Sequence, residues 1–252
     1  MAPTIDLKGK VALVTGSSRG IGRAIAETLA AAGSDIVINA RHASPELQEL
    51  ASAIARAHGV RCEAIAADIS DIEQVNELFQ QTFKAFRRLD TLVNNAGVLR
   101  DGLIGMIRQE DVTATLGINT VGTLNCIQVG ARLLQRSGGG SIINVASIIG
   151  VRGNAGQLVY AASKGAVVAA TLAAAKELGS KQIRVNAIAP GYIDTEMIRS
   201  IPEPIHRERL SSIAMGRIGT PADVADVALF LASPLSRYVT GAVIGVDGGM
   251  LI

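Results

Sequence analysis

Short apolar runs alternate along this chain with longer segments whose apolar residues return every three to four positions, the spacings that separate buried strands from amphipathic helices. KVALVT (10–15) predicts a strand, and IGRAIAETLAAAG (21–33) a helix stopped by Gly33. DIVINA (35–40) predicts strand two, PELQELASAIARAHG (45–59) a helix, RCEAIAA (61–67) strand three and DIEQVNELFQQTFKAF (71–86) an amphipathic helix. LDTLVNN (89–95) is strand four, followed by a long helix over roughly 109–135. SIINVAS (141–147) is strand five, LVYAASKGAVVAATLAAAKELG a helix, IRVNAIA (183–189) strand six and AVIGVDGG (242–249) a last strand. Thr220, Pro221 and Asp223 mark a helix start, with threonine as cap and proline in first position.

Strand–helix alternation with strands apolar on both faces implies a parallel sheet covered on both sides. Right-handed crossovers make it an α/β, doubly wound, Rossmann-like sheet of about seven strands. No linker or change of composition divides residues 1–252, so a single domain is expected. Segment 192–215 stands apart: it is polar, carries Pro202 and Pro204 and the charged run HRER (206–209), and is either a surface insertion or a mobile loop or lid on the substrate side.

The 252 residues, 48% hydrophobic and 18% charged, are enough for a substantial core. Basic and acidic residues balance at 24 against 22, which excludes the basic footprint of a nucleic-acid binder. The start, MAPTIDLKGK, has no apolar stretch of signal-peptide length, and the apolar runs elsewhere are broken short of a membrane span, so a soluble, cytoplasmic protein is expected. Cys62 and Cys126 match no metal spacing and are expected as free buried thiols; His42, His58 and His206 are scattered, and no metal site is expected.

The first predicted strand runs into TGSSRGIG (15–22) and directly into a helix. A glycine-rich turn there lets backbone N–H groups approach a pyrophosphate, which points to Gly16, Ser18, Arg19, Gly20, Ile21 and Gly22 as cofactor contacts. Strand two ends in NARH, with Ala40 and Arg41 where a carboxylate for a ribose 2′-hydroxyl would stand. With Arg19 in the glycine turn, the missing acid favours NADP(H) over NAD(H). Asp68, followed by Ile69, ends strand three and serves equally as an adenine acceptor or a turn cap. NNAG (94–97) brings Asn95, Ala96 and Gly97 to the end of strand four, leaving room for a flat ring. Ser147 ends strand five, at the edge that faces the ligand crevice. Tyr160 and Lys164, four apart on a helix, share one face; they form either a structural pair or a tuned proton donor.

TGSSRGIG, NNAG, Asn119, Ser147, YAASK and PG (190–191), in this order and spacing, resemble the short-chain dehydrogenase/reductase family over essentially the whole chain. ALVTGSSRGIGRAIAETLA, NNAGVLRDGL, VYAASK, VNAIAPGYIDTEM and the terminal DGGM are similar to the 3-oxoacyl-[acyl-carrier-protein] reductases within it. The resemblance implies Asn119, Ser147, Tyr160 and Lys164 as the catalytic set. Lys164 would draw the Tyr160 hydroxyl toward neutrality and hold the nicotinamide ribose, Ser147 would bind the substrate carbonyl, and Asn119 would position a water joining Lys164 to solvent. Pro190, Gly191, Ile193 and Thr195 would complete the cofactor site, and Gln157 would join Ser147 and Tyr160 at the substrate.

The implied reaction is NADPH-dependent reduction of a carbonyl, most closely a 3-oxoacyl thioester to its (3R)-3-hydroxyacyl product, in fatty acid synthesis. General carbonyl reduction, alcohol or polyol dehydrogenation, and a catalytically silent cofactor-binding scaffold are the alternatives. Implied partners are a small carbonyl or acyl-thioester substrate and an acyl carrier protein, in a homotetramer, with no nucleic acid and no membrane. Two long helices apolar nearly all round support that assembly. A carrier would meet basic residues near the mouth, for which Arg136 and Lys181 are the candidates, although QRSGGGS (135–141) offers little charge.

Overall fold

The computed structural model describes residues 5–196 and 203–251. Seven strands form one parallel sheet in the order β3-β2-β1-β4-β5-β6-β7: β1 Val11–Val14, β2 Asp35–Ala40, β3 Cys62–Ala66, β4 Thr91–Asn94, β5 Gly140–Val145, β6 Ile183–Pro190 and β7 Val243–Val246. Each predicted strand is present, with its ends within three residues of those expected. Order reverses between β1 and β4, which pair through Ala12↔Thr91 to Val14↔Val93, so the crossovers on either side diverge there and open a crevice at the strands' carboxyl ends.

Helices α1 (Gly20–Ala31), α2 (Pro45–His58) and α9 (Pro221–Ala232) cover one face, with Leu29, Leu50 and Leu231 in its core. On the other face lie α3 (Ile72–Phe86), α5 (Thr123–Arg136) and α7 (Leu158–Leu178), burying Leu78, Cys126 and Leu178. Local chemistry sets their ends. Ser44 caps α2 and Asp71 caps α3, and Thr220, expected as the cap of α9, exchanges hydrogen bonds with Asp223.

Three elements differ from expectation. The long helix expected over 109–135 is α4 (Gln109–Leu116), a π-helical turn Gly117–Gly122, and α5. A Cβ at Gly122 would lie 2.6 Å from Ile69 Cδ1, so glycine permits the close approach of this turn to the strand-three loop. Segment 192–215 is not simply a loop: Glu203–Ser211 form an exposed helix, α8, with Pro204 in its first turn and an Arg207–Glu203 pair one turn apart. Pro202 lies outside the described residues. Thirdly, Leu158–Lys181 is long and apolar enough to cross a membrane by length and composition, with mean hydropathy 1.5, so the expectation of breaks well short of that length fails. Of the charged residues inside it, Lys164 is turned inward and buried, and Lys176, Glu177 and Lys181 lie at its carboxyl end.

Candidate active site

The crevice is a cleft of about 1090 Å³ along the carboxyl edge of the sheet. At its floor, Gly16 and Gly20 take φ of 61° and 57°, the left-handed region that only glycine enters without strain. A Cβ on Gly16 would lie 2.6 Å from Ala96 Cα, so the turn can press against strand four only without one. Helix α1 then begins with no side-chain cap and no acidic residue in its first turn. Its first N–H groups are left to face an anion in the cleft. Asn39, which sequence reasoning passed over, stitches this region: its Oδ1 accepts from Gly16 N (3.3 Å), and its Nδ2 donates to Ile65 O (3.1 Å) and Ala67 O (3.3 Å). Asn95 Nδ2 closes the turn from the other side, donating to Thr15 O and Gly16 O (3.0 and 2.9 Å).

Toward one end lie Ala40, Arg41, Asp68 and Ile69. Arg41 Nε pairs with Asp68 Oδ2 at 2.9 Å, and Arg19 Nη1 with Glu196 Oε2 at 2.9 Å, so each arginine already has an acid beside it. Asp68 also accepts from Ser70 N and Oγ (3.0 and 2.6 Å), the turn-capping reading. Partial burial raises its carboxyl, but the Ser70 bonds and the Arg41 charge outweigh that and hold it below the ordinary carboxylate range.

At the other end Ser147, Tyr160, Lys164 and Gln157 converge on the cleft. Ser147 follows β5 and caps the short helix α6 (Ile148–Arg152) by accepting from Ile149 N at 3.2 Å, so the cap reading and the cleft reading hold together. Lys164, 5% exposed, donates from Nζ to Val145 O at 2.8 Å and stands 6.0 Å from the Tyr160 ring centroid. Burial lowers its pKa to about 8. The expectation that Lys164 draws the Tyr160 hydroxyl toward neutrality fails here. Burial pushes that hydroxyl above its ordinary value, a hydrogen bond with Ser147 opposes the rise, and the Asp101 charge adds to it.

Asn119 does not line the cleft. It sits fully buried in the π-helical turn, where Nδ2 donates to Val98 O (2.9 Å) and Ser163 Oγ (3.0 Å) and Oδ1 accepts from Val98 N (2.8 Å). Its side-chain amide therefore braces the strand-four loop against α7.

All the expected cofactor and substrate residues line the cleft, Pro190, Gly191, Ile193 and Thr195 among them. From the segment set apart in the sequence, Tyr192, Ile205, Glu208, Arg209 and Ser212 also line the cleft; unforeseen were Met250 and Leu251 near the chain end. Tyr192 Oη lies 3.1 Å from His206 Nδ1, tying the loop after β6 to α8. Another expectation is overturned: Arg136 and Lys181 precede β5 and β6 and so stand at the amino edge of a parallel sheet, opposite the cleft. Arg136 stacks 4.7 Å from the Phe83 ring centroid instead.

A glycine turn opening an uncapped helix, set beside a serine, tyrosine and buried lysine at the switch point of a doubly wound sheet, defines a dinucleotide-dependent oxidoreductase. A family model described as enoyl-(acyl carrier protein) reductase matches residues 16–251, and the chain belongs to the short-chain dehydrogenase/reductase family of nicotinamide-dependent oxidoreductases. It is 42% identical over 248 residues to 3-oxoacyl-[acyl-carrier-protein] reductase FabG of Thermotoga maritima, covering 98% of this chain and 99% of that one. With 3-oxoacyl-[acyl-carrier-protein] reductase of Synechocystis it shares 40% identity over 98% of each chain. A crystal structure from Sinorhizobium meliloti 1021, assigned as a short-chain alcohol dehydrogenase, superimposes with a TM-score of 0.93 at 36% identity over 98% of each chain.

Proposed function

We propose that this protein reduces 3-oxoacyl thioesters to 3-hydroxyacyl thioesters with NADPH, the thioester being carried on an acyl carrier protein as in the relatives' names. One observation carries the reading: Ser147, Tyr160 and Lys164 line the same cleft as the glycine turn, so a carbonyl and a dinucleotide can meet there. The left-handed glycines and open helix start fit a pyrophosphate, and Ala96 and Gly97, which line the cleft, would flank a nicotinamide ring. The bound nicotinamide supplies the hydride. Ser147 hydrogen-bonds the substrate carbonyl oxygen, and Tyr160, whose burial keeps it a neutral O–H at physiological pH, gives that oxygen its proton. The proton lost from Tyr160 is restored from solvent, with Lys164 beside it on the same helix face. Lys164 holds the ribose, and Arg41 and Arg19 receive a 2′-phosphate in partial exchange for Asp68 and Glu196.

Carrier docking, on this reading, uses cations near the mouth, Arg207 and Arg209 of α8, and not Lys181 or Arg136. The test follows nicotinamide oxidation with a 3-oxoacyl thioester and with a ketone of matched length. The thioester is expected to be the better substrate by kcat/KM, and Tyr160→Phe to lose at least ~100-fold in turnover while binding cofactor normally. Equal turnover in Tyr160→Phe would remove this tyrosine from the chemistry, and a wild type indifferent between the two substrates would overturn the substrate class.

A further inference from the structure

Gln157 immediately precedes α7, three residues before Tyr160, so the two side chains share a helix face about one turn apart. It lines the cleft and is 6% exposed. An amide in such a place can present either its N–H or its carbonyl to a ligand, depending on which end is held elsewhere. Both ends of this one are held. Its Nε2 donates to Asp101 Oδ1 and Oδ2 at 3.0 and 3.1 Å, and its Oε1 accepts from Asn154 Nδ2 at 2.8 Å. Backbone contacts reinforce the junction, with Gly102 N donating to Gly156 O at 2.8 Å and Gly102 bridging to Gln157.

A carboxylate only accepts, so the nitrogen end of Gln157 must face Asp101 and cannot turn over. One nitrogen at nearly equal distance from both Asp101 oxygens fits a single shared N–H, and since Gln157 lines the cleft the second is the donor assigned to a ligand there. We propose that Asp101 is a specificity residue: it fixes Gln157 as a hydrogen-bond donor to the second carbonyl of a 1,3-dicarbonyl substrate. The first carbonyl is the one held by Ser147 and Tyr160. This rests on the proposed reduction of a 3-oxoacyl thioester, whose thioester carbonyl is that second acceptor. A simple ketone has none and gains nothing from the arrangement.

Asp101→Asn tests it. An amide at 101 can accept from or donate to Gln157, so both orientations of Gln157 become satisfied and its carbonyl can face the substrate. The ratio of kcat/KM for a 3-oxoacyl thioester over that for a length-matched ketone should fall about 3- to 10-fold, the worth of one net hydrogen bond, through a raised KM for the thioester. A uniform loss on both substrates, or an unchanged ratio, would overturn the proposal. Should Asp101→Asn not fold, Gln157→Met, which fills the same space without a donor, must give the same selective loss. A wild type that favours the thioester, with a variant that keeps the preference, sinks this inference alone; a wild type with no preference sinks the substrate assignment with it.

Discussion

Lys164 shows how a single residue trades stability for chemistry. Its pKa near 8 means that below pH 8 the folded protein holds a buried ammonium that the unfolded chain would solvate. The unfolded state binds more protons between about pH 8 and 10.5, so this penalty is full below pH 8 and lessens as pH rises through that window. Lys164→Met should therefore stabilise the cofactor-free protein by roughly 1–3 kcal/mol at neutral pH, less whatever the Val145 carbonyl loses, while abolishing turnover. Thermal unfolding at several pH values checks this: a gain that does not shrink above pH 8 would mean that the ammonium is not the cause. Arg41 makes a second prediction. A charge-assisted bond to a 2′-phosphate is worth about 1.5–3 kcal/mol, or about 10- to 150-fold in affinity. Ala40→Asp should move preference toward NADH, and equal wild-type affinity for both cofactors would show that Asp68 keeps Arg41 occupied.

Among the elements, α8 is the one whose position the cleft depends on. Ile205, Glu208 and Arg209 line the mouth from it, none of its residues is fully buried, and its hydroxyl–imidazole contact with Tyr192 joins it to the loop that carries Gly191 and Thr195. Few buried contacts mean low local stability, which suits a closing element. Amide exchange across Glu203–Ser211 should slow when cofactor and substrate are both present, and Tyr192→Phe should weaken that protection. Identical exchange with and without ligands would make α8 an ordinary surface helix. The π-helical turn plays the opposite part: Gly122 lets it approach Ile69 closely, and the Asn119 amide braces the strand-four loop.

Whole-molecule charge and surface bear on assembly. Val121, Leu124 and Leu172, on the π-helical turn, α5 and α7, remain 44–45% exposed on one face of the sheet. Large apolar side chains on neighbouring helices usually meet a partner. We expect a homotetramer, so light scattering at micromolar concentration should give four times the 26.1 kDa chain mass. A monomeric mass would show that these faces stay in water.

The seven strands, the capped start of α9, and the residues at the cleft could be read from the chain because each depends on neighbours in sequence. Apolar runs select strands, a serine or threonine before a helix selects its start, and a glycine turn between strand and helix selects the anion site. Ser147 was legible because it stands just past a strand's carboxyl end, and Tyr160 and Lys164 because four residues along a helix put them on one face. Contacts across crossovers were not legible, since they depend on which loops the sheet order brings side by side. Only the tertiary structure set Arg41 against Asp68 and Arg19 against Glu196, spent the Asn119 amide on Val98 and Ser163, and joined Gln157 to Asp101 across 56 residues. It also decided that Lys181 lies away from the cleft, because all strands run one way and the turn before a strand must emerge at the far edge. The Tyr160 hydroxyl, likewise, has its acidity set by burial, by the Ser147 hydrogen bond and by the Asp101 charge, and four residues of spacing along a helix carry no information about any of them.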